Sequence, residues 1–262
     1  MNRDEILEIV MGYRPIDDNF MNLIFKNNKP LVEYVLRIIL DKDDLIVETS
    51  ETQFDLNIAG SHGLMLDVFA KDTSGKSYNI EVQRADKGAL PQRARYHASA
   101  IDVTELAKGS EYEDLPDTYV IFITENDVLK GNKATYTIKR TIEELGEDFN
   151  DGTYIVYVNA AYQDISTAIG KLIHDFVCKN ASDMLCDPMA EITKHYKETT
   201  EGVNIMCKAV EEFGKKERME GRRDGIVETI KVFIKDGTLS LDKIAEIVKM
   251  PVDEIKKIAA AM

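Results

Sequence analysis

Asp67, Glu81 and Gln83 are the residues of this chain whose types and spacing point most directly to chemistry. Asp67 follows Gly63-Leu-Met-Leu, and Glu81 and Gln83 stand in Tyr78-Asn-Ile-Glu-Val-Gln83, with the turn-forming Asp72-Thr-Ser-Gly-Lys76 midway between the acids. The pattern predicts a β-hairpin. Strand side chains alternate faces, so Glu81 and Gln83 share one face while Ile80 and Val82 take the other. Folding back at the turn brings Asp67 to Glu81. Two carboxylates held together repel unless a proton or a cation lies between them, and an all-oxygen site suits Mg²⁺. An ordinary hairpin with a solvated polar face has the same spacing.

The elements that must hold this hairpin are read from periodicity. Asn28-Lys-Pro30 opens a helix through Leu31, Val35, Leu36, Ile39 and Leu40, with Pro30 in the permitted first turn. Residues 45–47 and 52–58 read as extended. A helix is expected over residues 90–106, with Pro91 at its start. Asp117-Thr-Tyr-Val-Ile-Phe-Ile-Thr124 has the unbroken apolar run of a buried central strand, and residues 134–139 and 154–158 supply further strands. The order predicts an α/β domain over residues 1–160, a central mixed β-sheet flanked by helices.

From Ile165 onward the apolar residues recur at helical spacing: Ile165, Ile169, Leu172 and Phe176, then Val203, Met206, Val210 and Phe213. An α-helical C-terminal extension over residues 161–262 follows. Residues 215–225, charged and punctuated by Gly, read as a solvated helix or hinge because acids interrupt the bases. The last segment, residues 240–258, breaks before Pro251 into two short helices laid out like a helix-turn-helix. Asp253 and Glu254 stand at the start of its second helix, where a DNA-reading helix presents basic or amide side chains, so packing or dimerisation is the reading preferred.

The 262 residues are 44% hydrophobic, enough for a proper core. With 47 acids against 33 bases the net charge is −14, so nucleic acid is repelled at long range and needs a local basic groove. Arg84, Lys87, Arg93 and Arg95, close in sequence to the acid pair, are such a cluster. Cys178, Cys186 and Cys207 lack the spacing of a disulfide framework or a zinc site, and His62, His97, His174 and His195 are dispersed. Acids occupy the amino terminus where a signal peptide needs an apolar run. No apolar stretch approaches the roughly 18 residues of a membrane span. A cytoplasmic protein with no membrane partner is expected.

With these pieces in order, the chain resembles the PD-(D/E)XK nuclease superfamily, and more closely its bacterial branch of recombination-promoting nucleases and transposases. The residues that carry the resemblance are Leu66-Asp-Val68, Asn79-Ile-Glu-Val-Gln83, Leu90-Pro-Gln-Arg-Ala-Arg-Tyr-His97 and Asp114-Leu-Pro-Asp-Thr-Tyr-Val-Ile-Phe-Ile123. An upstream segment over residues 20–26 also fits. The likeness runs from about residue 15 to residue 160 and extends loosely into the helical tail.

The resemblance implies a restriction-endonuclease-like core and a metal-dependent DNA endonuclease that hydrolyses phosphodiester bonds, promoting recombination or acting with mobile elements. It makes Asp67 and Glu81 the ligands of Mg²⁺, with Mn²⁺ as a substitute, and Gln83 the third catalytic residue where the parent pattern has Lys. An amide can orient a water only by hydrogen bonds, so weak activity or a second metal ion is expected. On the following helix Gln92, Arg93 and Tyr96 are expected to bind substrate, Arg93 by clamping a phosphate and Tyr96 by stacking. Surface ion pairs and a half-buried tyrosine are the plainer account of the same residues. Glu33 is an accessory acid if its helix face meets the hairpin, though an exposed helix acid is the reading preferred. Cutting both strands with one site per chain favours a homodimer. The acidity, the missing Lys and the helical tail leave an alternative, a non-catalytic nucleic-acid- or protein-binding assembly protein on a nuclease fold. A glycosidase is disfavoured, since the chain has no Trp.

Overall fold

The computed structural model describes residues 2–56, 63–260 and 262. The chain opens with α1 (Arg3–Gly12), α2 (Asp18–Phe25) and α3 (Lys29–Leu40). Next come β1 (Val47–Leu56), β2 (Leu64–Asp72), β3 (Ser77–Gln83), α4 (Pro91–Glu105) and β4 (Thr118–Thr124). β5 (Thr135–Ile138), β6 (Thr141–Ile142), β7 (Glu147–Asp148) and β8 (Thr153–Asn159) follow. The rest is helical: α5 (Ala168–Val177), α6 (Asp187–Glu198), α7 (Thr200–Asp236), α8 (Leu241–Val248) and α9 (Val252–Ala260).

The central sheet has six strands in the order β1-β2-β3-β4-β8-β5. β1, β2 and β3 are antiparallel neighbours, β3-β4 and β4-β8 are parallel, and β5 returns antiparallel on β8. This is the mixed sheet flanked by helices that the sequence predicts, consistent with a restriction-endonuclease-like α/β fold. A parallel pair needs a crossover, and α4 supplies it between β3 and β4, which plants the start of α4 directly after the strand carrying Glu81 and Gln83. The buried residues Ala94, Ala98, Ala100 and Ile101 of α4 belong to one core cluster with Val120, Phe122 and Tyr157. Their small side chains let the helix lie close to the sheet. By alternation Ile80, Val82, Ile121 and Ile123, all buried, face the other side.

Several expectations take a different form. The segments 45–47 and 52–58 are joined in a single strand, β1, which begins at Val47 and leaves Leu45 and Ile46 before it; residues 57 and 58 lie outside the described residues, as does His62. α1, begun by a capping box between Asn2 and Glu5, and α6 are additions. α6 escapes a periodicity reading because its buried face carries Thr193 and Lys197 beside Met189, the Lys197 ammonium donating to the carbonyls of Met11, Tyr13 and Lys179. The charged run 215–225 is an unbroken part of α7.

Two compact units emerge, Met1–Cys207 and Lys208–Met262. The expected division after residue 160 marks the change from sheet to helices; the change in compactness comes at Cys207. In the second unit Ile230 of α7, Ile244 and Ala245 of α8 and Ile255 of α9 form a small apolar core. Among the described residues no helix is long and apolar enough to cross a membrane.

Candidate active site

The hairpin delivers both acids to one place. β2 and β3 pair in register up to Val68 opposite Ile80, and Asp67 and Glu81 stand one step beyond. There the side chains replace the ladder: the Asp67 amide donates to Glu81 Oε1 at 3.1 Å, and the Val82 amide donates to Asp67 Oδ2 at 3.2 Å. On the other side of β2, the β1 residue between the paired Thr52 and Phe54 is Gln53, in the left-handed region at φ 55°. A non-glycine there is strained, and its place beside Asp67 marks where the sheet breaks its regularity.

Glu81 is wholly buried, and Asp67 is partly so. Burial pushes the Glu81 carboxyl well above the ordinary range, the Asp67 charge adds to the rise, and hydrogen bonding from the Asp67 amide and the charge of Arg93 offset only part of it. Asp67 is raised by burial first, with the Val82 amide opposing and the charge of Asp18 adding. Leaving a carboxylate buried without its full complement of partners costs several kcal/mol, of order 3–5. Asp67 Oδ1 accepts no hydrogen bond from the described residues. Two hard oxygen donors, crowded, desolvated and short of positive charge, fit a divalent cation.

α4 answers part of the deficit. Arg93 donates from Nη2 to Glu81 Oε2 at 3.2 Å, from Nη1 to Gln83 Oε1 at 3.3 Å and to the Gly88 carbonyl at 3.1 Å, and from Nε to His97 Nε2 at 3.2 Å. His97, four residues on and so on the same helix face, is buried against Asn79, its Nδ1 3.0 Å from the Asn79 amide. Burial lowers its pKa to about 4, with the Arg93 charge adding, so the imidazole is neutral at physiological pH. Arg93 can only donate, so Nε2 accepts from it.

Of the residues singled out from sequence, Asp67, Glu81, Gln83 and Arg93 come together. Gln92 and Tyr96 share α4 but are exposed, and Tyr96 retains 40% of its accessible surface. Arg84 is engaged by Asp17 and Glu125, which Arg14 also contacts, and Arg93 by Glu81, so these two members of the basic cluster are in ion pairs, while Arg95 is exposed. The Lys87 side chain lies outside what the structure describes. Glu33 does not reach the hairpin acids. It accepts the Val47 amide and pairs with Arg37, tying α3 to β1.

Asn79, His97, Gly88 and Asp18 escaped the sequence reading as site residues. Alternation places Asn79 with Glu81 and Gln83, and the four-residue step from Arg93 finds His97. Asp18, at the first turn of α2, carried no signal; its carboxyl is raised by burial, then by Asp17. One cluster elsewhere is close enough to hold a metal among the described residues, His174, Asp175 and Cys178. There the Asp175 carboxylate is taken by the Leu185 and Cys186 amides and serves as a loop cap.

No curated protein and no solved structure matches the chain. A family model described as PD-(D/E)XK nuclease family transposase matches residues 20–165, a span that contains β1 to β8, α4 and every residue of the acid pair and its Arg93 clamp. The hairpin acids, the amide two positions after the second acid and the crossover helix that meets them thus fall inside a matched region covering more than half of the sequence: the chain belongs to the PD-(D/E)XK nuclease family transposases.

Proposed function

We propose that the protein is a divalent-metal-dependent endonuclease that hydrolyses phosphodiester bonds in DNA. The observation that carries the reading is the meeting of Asp67, partly buried, and Glu81, wholly buried, with Arg93 offsetting only part of their charge, at the point where β2 and β3 leave their register. Asp67 Oδ1 and the Glu81 carboxylate are the ligands for Mg²⁺, or Mn²⁺ in its place. Bound there, the ion lowers the pKa of a water and offsets phosphate charge. Gln83 would orient a water by hydrogen bonds, since an amide carries no charge to offer it. Arg93 holds Glu81 in place and presents its guanidinium to the scissile phosphate, while Gln92 and Tyr96, exposed on the same helix, contact the flanking strand. Cleavage of both strands calls for two chains, and breaks made in this way serve recombination or mobile elements.

Plasmid nicking in Mg²⁺ tests the reading. Wild-type protein converts supercoiled DNA to open circle, and Asp67→Ala and Glu81→Ala abolish the conversion. Equal nicking by both variants contradicts the assignment. Arg93 on Glu81 favours one rival, a binding protein on the same fold in which the guanidinium takes the cation's place for good. That rival predicts no Mn²⁺ uptake by isothermal titration, whereas the nuclease reading predicts micromolar binding that needs Asp67.

A further inference from the structure

The Gln83 amide is held in one sense. Arg93 Nη1 lies 3.3 Å from Gln83 Oε1, and a guanidinium has donors and no acceptor, so the carbonyl end of the amide faces it. The same Nη1 donates to the Gly88 carbonyl, and Gly88 closes the other side: a Cβ at residue 88 would stand 1.8 Å from Gln83 Oε1 and 2.8 Å from its Cδ. Only glycine leaves room for the amide to tuck beneath the turn. With Oε1 committed, the Nε2 group is what remains, and it donates to nothing among the described residues.

We propose that Gly88 and Arg93 are positioning residues that lock the Gln83 amide as a hydrogen-bond donor to the reacting oxygens. Gln83 thereby supplies the donor half of what a lysine at this position supplies, and Arg93, from α4, supplies the charge. The two halves of one ammonium are divided between strand and helix. This rests on the nuclease reading for its catalytic meaning, while the lock itself is a property of the fold.

The division has consequences that a merely structural cluster lacks. Gln83→Glu keeps size and keeps acceptors but removes the donor, so kcat for nicking falls as far as in Gln83→Ala, about 100-fold. Gly88→Ala displaces only the flexible tip of Gln83, so kcat falls at least about tenfold while KM and the melting temperature stay near wild type. Gln83→Lys sets an ammonium against Arg93 and is impaired; adding Arg93→Met to it removes the repulsion and raises kcat above that of Gln83→Lys, although Arg93→Met alone is damaging.

The experiment is single-turnover and steady-state nicking of supercoiled plasmid by these variants in Mg²⁺, alongside the side-chain amide resonances of Gln83, assigned by their loss in Gln83→Glu. The resonances are expected to shift in both Gly88→Ala and Arg93→Met. Wild-type rates for Gln83→Glu or Gly88→Ala, additive effects of Gln83→Lys and Arg93→Met, or Gln83 amide resonances unmoved by either positioning variant overturn the proposal. A wild-type protein that nicks nothing defeats the nuclease reading instead, and the resonances still decide whether the lock exists.

Discussion

The two ends of the β2–β3 hairpin bury carboxylates in opposite ways. At the turn end, Asp72 is 6% exposed and receives hydrogen bonds from the Ser74 amide and hydroxyl, the Lys76 amide and the Tyr78 hydroxyl. Burial pushes this carboxyl up, but those donors outweigh it and hold it below the ordinary value. At the open end, five residues away along β2, Asp67 and Glu81 share a handful of donors, repel one another and are both raised. A buried acid with a full shell of donors holds a turn. An acid pair left short of them stores the unmet electrostatic demand that a cation satisfies.

The largest expected difference between the two ends is in metal binding. Asp67→Asn removes Mn²⁺ uptake measured by titration, whereas Asp72→Asn leaves the affinity within about twofold, since mutations at separate sites do not couple. Loss of uptake in both variants, or in neither, breaks the comparison.

Stability comes next, and the signs are opposed. In metal-free protein at pH 8, Glu81→Gln raises the unfolding free energy by about 1–2 kcal/mol because it removes a buried, underpaired charge. Asp72→Asn lowers it by about 2–3 kcal/mol through lost charge-assisted hydrogen bonds. Urea titration of the two variants reads both effects.

The pH dependence sharpens the same contrast. Glu81 and Asp67 hold their protons more tightly in the folded chain, so their contribution is present in acid and is lost as pH rises through their folded values. Asp72 behaves inversely: its contribution is present at neutral pH and is lost as pH falls below the ordinary carboxylate range. His97, held down at about 4 against an ordinary 6.5, also costs stability as pH falls between those values. Metal-free wild type therefore loses stability as pH climbs from about 6, and Glu81→Gln flattens that decline. A decline of unchanged slope in the variant contradicts the assignment of the raised groups.

The smallest effect concerns the backbone beside the open end. Gln53→Gly relieves the left-handed strain and changes stability by no more than about 1 kcal/mol, while Gln53→Val, β-branched, costs about 1–2 kcal/mol. Equal melting temperatures for the two variants remove strain from the account.

Much of this was legible in the residues. The turn at Asp72–Lys76, strand alternation and the apolar run of β4 are local signals, and they place Glu81 and Gln83 on one face with Asp67 opposite. Arg93 was legible as a base close to the acids but was expected to hold phosphate; that it already clamps Glu81 and Gln83 depends on the pitch of α4 over the sheet, which no local signal carries. Gly88 carries no local signal, because its constraint comes from a side chain five residues earlier. The place of Glu33 was not legible, since helix periodicity gives a face without saying what the face meets; it ties α3 to β1 and takes no part in the acid pair. The ion pairs of Arg84 with Asp17 and Glu125 join residues from three separate parts of the chain, so no local signal shows that this base of the expected positive patch is already paired.

The central claim is that the unmet demand at the open end of the hairpin is for a divalent cation. A crystal soaked in Mn²⁺ and measured at the manganese absorption edge tests it directly. The account predicts an anomalous peak bound by Asp67 Oδ1 and the Glu81 carboxylate. No peak between the two acids at millimolar Mn²⁺ would contradict it.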